Sequence, residues 1–569
     1  MIDNLEKDKV IERCQVKEGD FMNNVFLVQK NTDEKKYRCI LNMKPLNKDY
    51  VELTHFKMDT LQTCLQLMQD KCYMASIDIS NAYHHIPIHP DYSKYLKFEL
   101  GTVTYQYLTI PQGYRDSPRV FTKCLKPVLK HLREKGFVSS VYIDDFYVQG
   151  KDLTECEENV NYTNLLLERL GYMISEKSIF KPTQSLTHLG FILNSVNMDV
   201  TLSEKKRNKL IELCKTILVK NNITIREAAQ LIGSLVASFP GVEYGPLYYR
   251  DMEKAKIVAL KLCNNNYDAK MQFNEACILE IQWWLREGLY SKKLISQGNP
   301  EKVITTDSSL KGWGAFIDDK NTQGLWTEEE AKMHINVLEL KAVLLGIQSL
   351  CKNDSNIHLQ VQMDNTTGIA YINNMGGTKS DKCNKITKEI ILWCKERNIW
   401  ITACFIAGKN NIKADALSRE FNINLEWTLN DTEFSSLCKD YGQPDMDLFA
   451  TRLNKKLPKY YSYYPDPEAI GINAFAHKWS GFVYIFAPFN LITRILKKIQ
   501  EDKTSKVLMI VPKWTVSPWY PVLKAMSMVE PTELKNHKKL LLQPSKKEMV
   551  HPLYPKMKLL ACLLSGESI

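Results

Sequence analysis

The sequence predicts a chain of α+β class built from several domains in series. Length is the first ground: 569 residues exceed what one hydrophobic core organises, so about three to four domains are expected. Patterning is the second. Two stretches, CYMASIDISNAYHHIPI to VSSVYIDDFYVQG and EKVITTDSSLKGWGAFIDD to HLQVQMDNTTGIAYIN, mix short strand-like runs with helical ones. The stretch between them, from Thr201 to about Leu294, is helical in period.

Composition excludes more than it proves. With 44% hydrophobic and 25% charged residues and no repeat or low-complexity tract, the whole chain is expected to fold. The net charge of +10, from 75 basic and 65 acidic residues, suits a polyanionic partner, but over this length it decides nothing alone. The 15 cysteines show no CxxC pair, no zinc spacing and no secretory leader before them. Reduced thiols and an intracellular site, cytoplasm, nucleus or both, are the expectation. The apolar run KLLACLLSG is far short of the roughly 18 residues of a membrane span, so no membrane partner is expected.

The first chemistry-bearing set starts at CYMASID, a buried strand with Asp78 at its end. VSSVYIDDFYVQG is apolar on both sides of an acidic pair, which predicts two antiparallel strands with Asp144 and Asp145 at a tight turn. An isolated Asp-Asp is ordinarily a turn former. Three aspartates on neighbouring strands could instead hold the two Mg²⁺ ions that phosphoryl transfer to a nucleotide requires, because such ions take hard oxygen ligands.

Tyr142-Ile143-Asp144-Asp145 resembles the YxDD signature of reverse transcriptases, and Asp78 with Ala82 and Tyr83 resembles their first catalytic motif. The resemblance implies a right-hand polymerase of fingers, palm and thumb, with fingers and palm over residues 1–200. It implies catalytic, metal-binding roles for Asp78, Asp144 and Asp145. It also implies that Tyr83 selects deoxynucleotides by excluding a 2′-hydroxyl and that Tyr142 belongs to the nucleotide-binding set. LTIPQGYRDSPRVF is similar to the LPQG-x-x-x-SP element of the family, which gives Gln112 and Gly113 contact with incoming nucleotide and template. VQKNTDEKKYRCILNMKPLN reads as a hairpin similar to the one whose basic residues grip the triphosphate, and Lys30 and Arg38 match those positions. Lys177 falls where the family places a general acid near the leaving pyrophosphate. Leu189 to Phe191 resemble the turn that holds the primer end.

The helical middle, residues 201–298, is the expected thumb and connection. Ser203 can cap a helix with apolar Leu210, Leu213, Cys214 and Ile217, whose other face carries Lys205, Lys206, Arg207 and Lys209. Thr224 and Glu227 form a capping box ahead of Leu231, Ile232 and Leu235. A charge run is ordinarily a solvated face. Basic helices of a polymerase also hold a duplex by its phosphates.

A second set follows. Asp307 sits near the end of a strand, Glu339 on the helix HINVLELKAVLLGIQSL, Asp364 at the end of HLQVQM, and Asp415 on the short helix KADALSR. Together they resemble the Asp, Glu, Asp, Asp set of the RNase H fold. The resemblance implies an α/β domain with a mixed sheet over residues 299–421, two Mg²⁺ ions (or Mn²⁺), and hydrolysis of RNA paired with DNA. One departure stands out: CFIAGKNN puts Phe405 where retroelement relatives carry a histidine that assists product or proton handling, so slower RNase H activity is expected.

Residues 422–569 contain PDMDLFATRLNKKLPKYYSYYPDPEAIGINAFAHKW and VPKWTVSPWYPVL, which resemble the region after RNase H in DIRS-type retrotransposons. A Gypsy-type element is the alternative. The family tail has been likened to DNA adenine methyltransferases, but FAPFN lacks the leading acid or amide and one proline of their loop, and methylation is not expected. Structural roles are expected for Trp514, Trp519 and Tyr520. The strand-like FMNNVFLVQK comes almost at once, so the chain reads as one piece of a longer element whose integration is supplied elsewhere. Expected partners are an RNA template, a DNA primer, the RNA-DNA hybrid and deoxynucleoside triphosphates; oligomeric state is not readable. The competing class is a decayed or domesticated nucleic-acid binder without catalysis.

Overall fold

The computed structural model describes residues 2–31, 34–52, 54–220, 222–421 and 426–567; the side chains of residues 27, 29–31 and 34–38 lie outside the description. The fold is mixed α+β and divides into two compact units, Met1–Ser296 and Gln297–Ile569. Among the described residues no helix is long and apolar enough to cross a membrane.

In the first unit, a four-stranded antiparallel sheet runs in the order Val138–Tyr142, Asp145–Gly150, Tyr73–Asp78, Ile179–Thr183. Its apolar face is Ile77, Val141 and Phe146, packed on Phe121, Leu125, Leu129 and Leu132 of the helix Ser117–Glu134. These helix positions recur every three to four residues, the period that puts them on one stripe. The helix Leu153–Arg169 starts where the Asp152 carboxylate accepts the Glu155 N–H at 3.0 Å. A second sheet includes the hairpin Met22–Asn31 and Glu34–Asn42.

The middle is helical as expected: Glu204–Val219, Ile225–Val236, Arg250–Leu262 and Glu275–Arg286. Ser203 caps the first, and Thr224 with Glu227 forms the capping box of the second. Lys206 departs from the expected solvated face. Its ammonium lies over the Phe191 ring at 3.8 Å and donates to the Ala237 carbonyl at 2.8 Å, and burial pulls its pKa down to about 8. It ties the helix to the Leu189–Phe191 turn instead of facing water.

The second unit opens with a five-stranded sheet in the order Lys320–Leu325, Gly312–Ile317, Lys302–Ser308, His358–Met363, Trp400–Phe405. The first three pair antiparallel and the last two run parallel to the central strand. Such parallel pairing requires crossovers, here the helices Ile335–Leu350, Thr366–Asn373 and Asp381–Lys395. The helix Ile412–Arg419 lies so close to Gly314 that a Cβ there would meet the Leu417 Cβ at 2.4 Å. Only glycine admits that approach.

Residues beyond 426 form another five-stranded sheet, Met446–Asp447, Phe482–Ile485, Lys506–Pro512, Leu559–Leu564, Thr532–Glu533, parallel across the first three and antiparallel after. Apolar residues cover both faces. Trp519 is buried in one of these cores, with Tyr520 packed against it.

Candidate active sites

Register does most of the work at the first site. Asp78 and Asp145 are direct cross-strand partners, and Tyr142 pairs with Asp145 around the two-residue loop Ile143-Asp144. Asp145 therefore opens its strand and Asp144 alone of the pair lies in the turn. Ile143 sits at φ +58°, a left-handed conformation that a β-branched residue adopts only under constraint. The Ile79 N–H donates to the Asp144 carbonyl at 3.0 Å, anchoring the turn beside the strand of Asp78. All three acids are half-buried.

Burial first, then the charges of Asp78 and Asp144, push the Asp145 pKa up to about 6; the Ser76 hydroxyl at 3.4 Å and the Lys177 charge oppose the rise. Lys177 is placed by the backbone of Asp78: the Asp78 N–H donates to Ser178 Oγ at 3.0 Å, and the Ser175 N–H donates to the Asp78 carbonyl at 2.7 Å. Tyr83 stands in the short turn Ala82–His85, its ring edge-on to Phe121 at 5.9 Å. Burial, then Asp144 and Tyr142, raise its hydroxyl to about 12.

Gly113 has φ +111°, and a Cβ there would lie 2.6 Å from the Leu41 carbonyl oxygen. Its own carbonyl accepts from Asn47 Nδ2 at 2.8 Å. It borders a cleft of about 560 Å³ with Leu41, Met43, Lys44, Asn47 and Arg115. Among the described residues no hydrogen bond ties half-buried Gln112 to the aspartates. Lys30 and Arg38 fall on the hairpin strands, with side chains outside the described residues.

At the second site, carboxylate oxygens of Asp307, Glu339 and Asp364 all lie within 4.8 Å of one another. Asp307 and Glu339 are buried and Asp364 is the more open. Burial, then Asp307 and Asp364, raise Glu339 to about 9, against one Ser308 backbone N–H that donates to it. Its Oε2 is buried without a hydrogen-bond partner, a state that costs free energy unless a cation or proton satisfies it. Burial raises Asp307 to about 6, although Ser418 Oγ donates to its Oδ2 at 2.7 Å.

Asp415 stands outside this trio. Arg419 Nε holds its Oδ1 at 2.6 Å, one turn along the same helix, while its charge still reaches Asp307. Phe405, 60% exposed, pairs with Met363 at the end of the strand that precedes Asp364. Sequence reasoning missed Ser76, Ser178 and Ser418, which hold the acids. Ser76 and Ser418 had a readable signal, two residues before Asp78 in its strand and three after Asp415 in its helix.

Residues 28–193 match the family described as reverse transcriptase (RNA-dependent DNA polymerase). Over this segment the chain is similar to that family. The chain is 24% identical over 433 residues to an enzymatic polyprotein of Cassava vein mosaic virus, covering 74% of this chain and 64% of the relative. It is 26% identical over 199 residues to the Gag-Pol polyprotein of Walleye dermal sarcoma virus, 34% of this chain and 11% of the relative. It is 23% identical over 448 residues to a genome polyprotein of Petunia vein clearing virus, 74% of this chain and 19% of the relative. The chain thus spans under two thirds of each of these relatives. Foamy viral protease-reverse transcriptase in complex with RNA/DNA hybrid aligns with TM-score 0.42 and 16% identity, over 75% of this chain and 56% of that one. A form of it with double-stranded DNA aligns with TM-score 0.45 and 18% identity, over 71% and 68%.

Proposed function

We propose that the chain copies RNA into DNA and removes the RNA strand of the resulting hybrid. The working division is fingers and palm in residues 1–200, thumb and connection in 201–298, nuclease in 299–421 and an appended tail in 422–569. A DIRS-type retroelement is the proposed source. The observation that carries the polymerase reading is the cross-strand pairing of Asp78 with Asp145, beside Asp144, inside the matched reverse-transcriptase segment.

Hard carboxylate oxygens and mutual repulsion fit both acidic sets to divalent cations, and the orphaned Glu339 Oε2 adds to the fit of the second. Asp78, Asp144 and Asp145 would hold Mg²⁺ at one site; Asp307, Glu339 and Asp364, with Asp415 nearby, would hold it at the other. Mg²⁺ supplies Lewis acidity and charge neutralisation at the attacking and leaving oxygens. Tyr83 walls the sugar side of the incoming nucleotide, and Gln112 and Gly113 line its approach. By resemblance Lys30 and Arg38 are assigned to the triphosphate, and Lys177 to proton delivery toward the pyrophosphate.

The test is primer extension on an RNA template with Mg²⁺, comparing the natural chain with Asp144→Asn. Extension by the natural chain alone is expected; equal extension by both ends the polymerase reading.

A further inference from the structure

The tail beyond residue 426 is bonded into the nuclease domain through a buried ion-pair cluster. Arg452 Nη1 and Nη2 donate to Glu330 Oε1 and Oε2 at 2.9 and 3.0 Å, and Nη2 also reaches the Leu325 carbonyl at 3.3 Å. The two side chains are 15% and 8% exposed. Lys341 binds the same Glu330 at 2.6 Å. These cations, Arg452 foremost, hold Glu330 down at about 2 against its burial. Arg452 is aimed from its own side: its N–H donates to Asp466 Oδ2 at 2.8 Å, and Tyr460 hydrogen-bonds the other Asp466 oxygen. A buried, bidentate and doubly supported pair is geometrically rigid.

Both ends of this cluster lead to metal-site acids. Lys341 lies two residues past Glu339 on the helix Ile335–Leu350, and Glu330 heads the short turn that feeds that helix. From Leu325, the next residue Trp326 donates through Nε1 to the Ser309 carbonyl at 2.9 Å. Ser309 Oγ donates to the Ser418 carbonyl at 2.6 Å, and Ser418 Oγ donates to Asp307. Further bonds pin the same face: Thr322 Oγ1 to the Pro465 carbonyl and Lys352 Nζ to the Ala469 carbonyl.

We infer that the tail is a structural component of the nuclease centre, with Arg452 a positioning residue that fixes the spacing of Glu339 and Asp307. The inference rests on the nuclease reading above. If Arg452 were removed, Glu330 would keep Lys341 and the Thr327 N–H, which donates to its Oε2 at 2.9 Å, but would be left a buried carboxylate short of its bidentate partner. The turn and the helix behind it would then loosen.

The test uses the full chain with Arg452→Ala and Arg452→Lys, Asp364→Asn serving as a site control. Mn²⁺ binding to the nuclease site is read by paramagnetic resonance as the component lost in Asp364→Asn. Arg452→Ala is expected to weaken that component about 10-fold, as removal of groups orienting metal ligands does. The Mg²⁺ concentration for half-maximal hybrid cleavage should rise in step, with primer extension in the same preparation within twofold. Arg452→Lys keeps the charge, loses the bidentate geometry and should fall between. Unchanged Mn²⁺ affinity and Mg²⁺ dependence in both variants overturn the inference. If Arg452→Ala does not fold, a folded Arg452→Lys with natural affinity overturns it equally. A natural chain that binds Mn²⁺ at this site yet cleaves no hybrid refutes the nuclease reading, while the affinity ratio still decides the role of Arg452.

Discussion

The two acidic centres meet the same electrostatic problem with opposite architectures. At the first, half-buried aspartates stand at strand ends, and the most strained element is a two-residue turn with Ile143 at φ +58°. Burial and repulsion together lift Asp145 only to about 6, and Lys177 works against the lift. At the second, buried acids come from a strand and a helix, and Glu339 reaches about 9 with one oxygen unpartnered. The lesson is that each centre holds one aspartate raised to about 6, whereas the second adds Glu339, which burial keeps protonated near neutral pH unless a cation takes up its charge.

The sharpest way to break the comparison is to disable each centre separately. Asp144→Asn should abolish primer extension and spare hybrid cleavage, and Asp364→Asn should do the reverse. Each loss should exceed about 100-fold, the upper end of what removal of a merely supporting group costs. Loss of both activities in either variant would mean the centres are not independent.

Phe405→His comes next. Placing a proton-handling imidazole beside Asp364 should speed hybrid cleavage by up to about 100-fold, the lower end of what one positioned acid-base group contributes, and leave extension unchanged. No gain would show that the exposed phenylalanine costs nothing.

Gly113→Ala tests the open centre. The φ of +111° and the 2.6 Å approach to Leu41 should lower stability by about 1–3 kcal/mol and raise the nucleotide KM more than they lower kcat. A natural melting curve would contradict the geometry.

The smallest effect concerns pH. Because the folded pKa of Glu339 is raised from the ordinary 4.5 to about 9 and that of Asp307 from 3.8 to about 6, protonation stabilises the metal-free fold. That contribution is complete below about pH 4 and drains away as pH climbs through 6 and then 9. Mg²⁺ should therefore raise the melting temperature more at pH 8 than at pH 6, each ~1 kcal/mol appearing as about 2–4 °C. Glu339→Gln should flatten the dependence, and equal shifts at both pH values would count against a cation-dependent centre.

The sequence disclosed the elements far better than the bonds between them. Strand ends at Asp78 and Asp307, the helices of Glu339 and Asp415, and the caps at Ser203 and Thr224 follow local periodicity and capping chemistry, so they could be read directly. Lys206 could not: helical spacing puts it among solvated cations, but its partner Phe191 comes from a distant turn. Asp415 likewise shares a motif with the other acids, yet the Arg419 pair holds it apart from the close trio. Arg452 and Glu330 were invisible because 122 residues separate them, and neither stands in a recognisable pattern.

That last pair bears on how such a chain can change over generations. Modules joined by exposed linkers can be exchanged one at a time, since no contact spans the cut. Here an exchange that replaced the tail would strip Glu330 of its bidentate partner, and one that replaced residues 299–421 would leave the Arg452 guanidinium without its carboxylate. Exchange of residues 297–567 as a block would keep these contacts intact, and substitutions on either side of the seam should accumulate in compensating pairs.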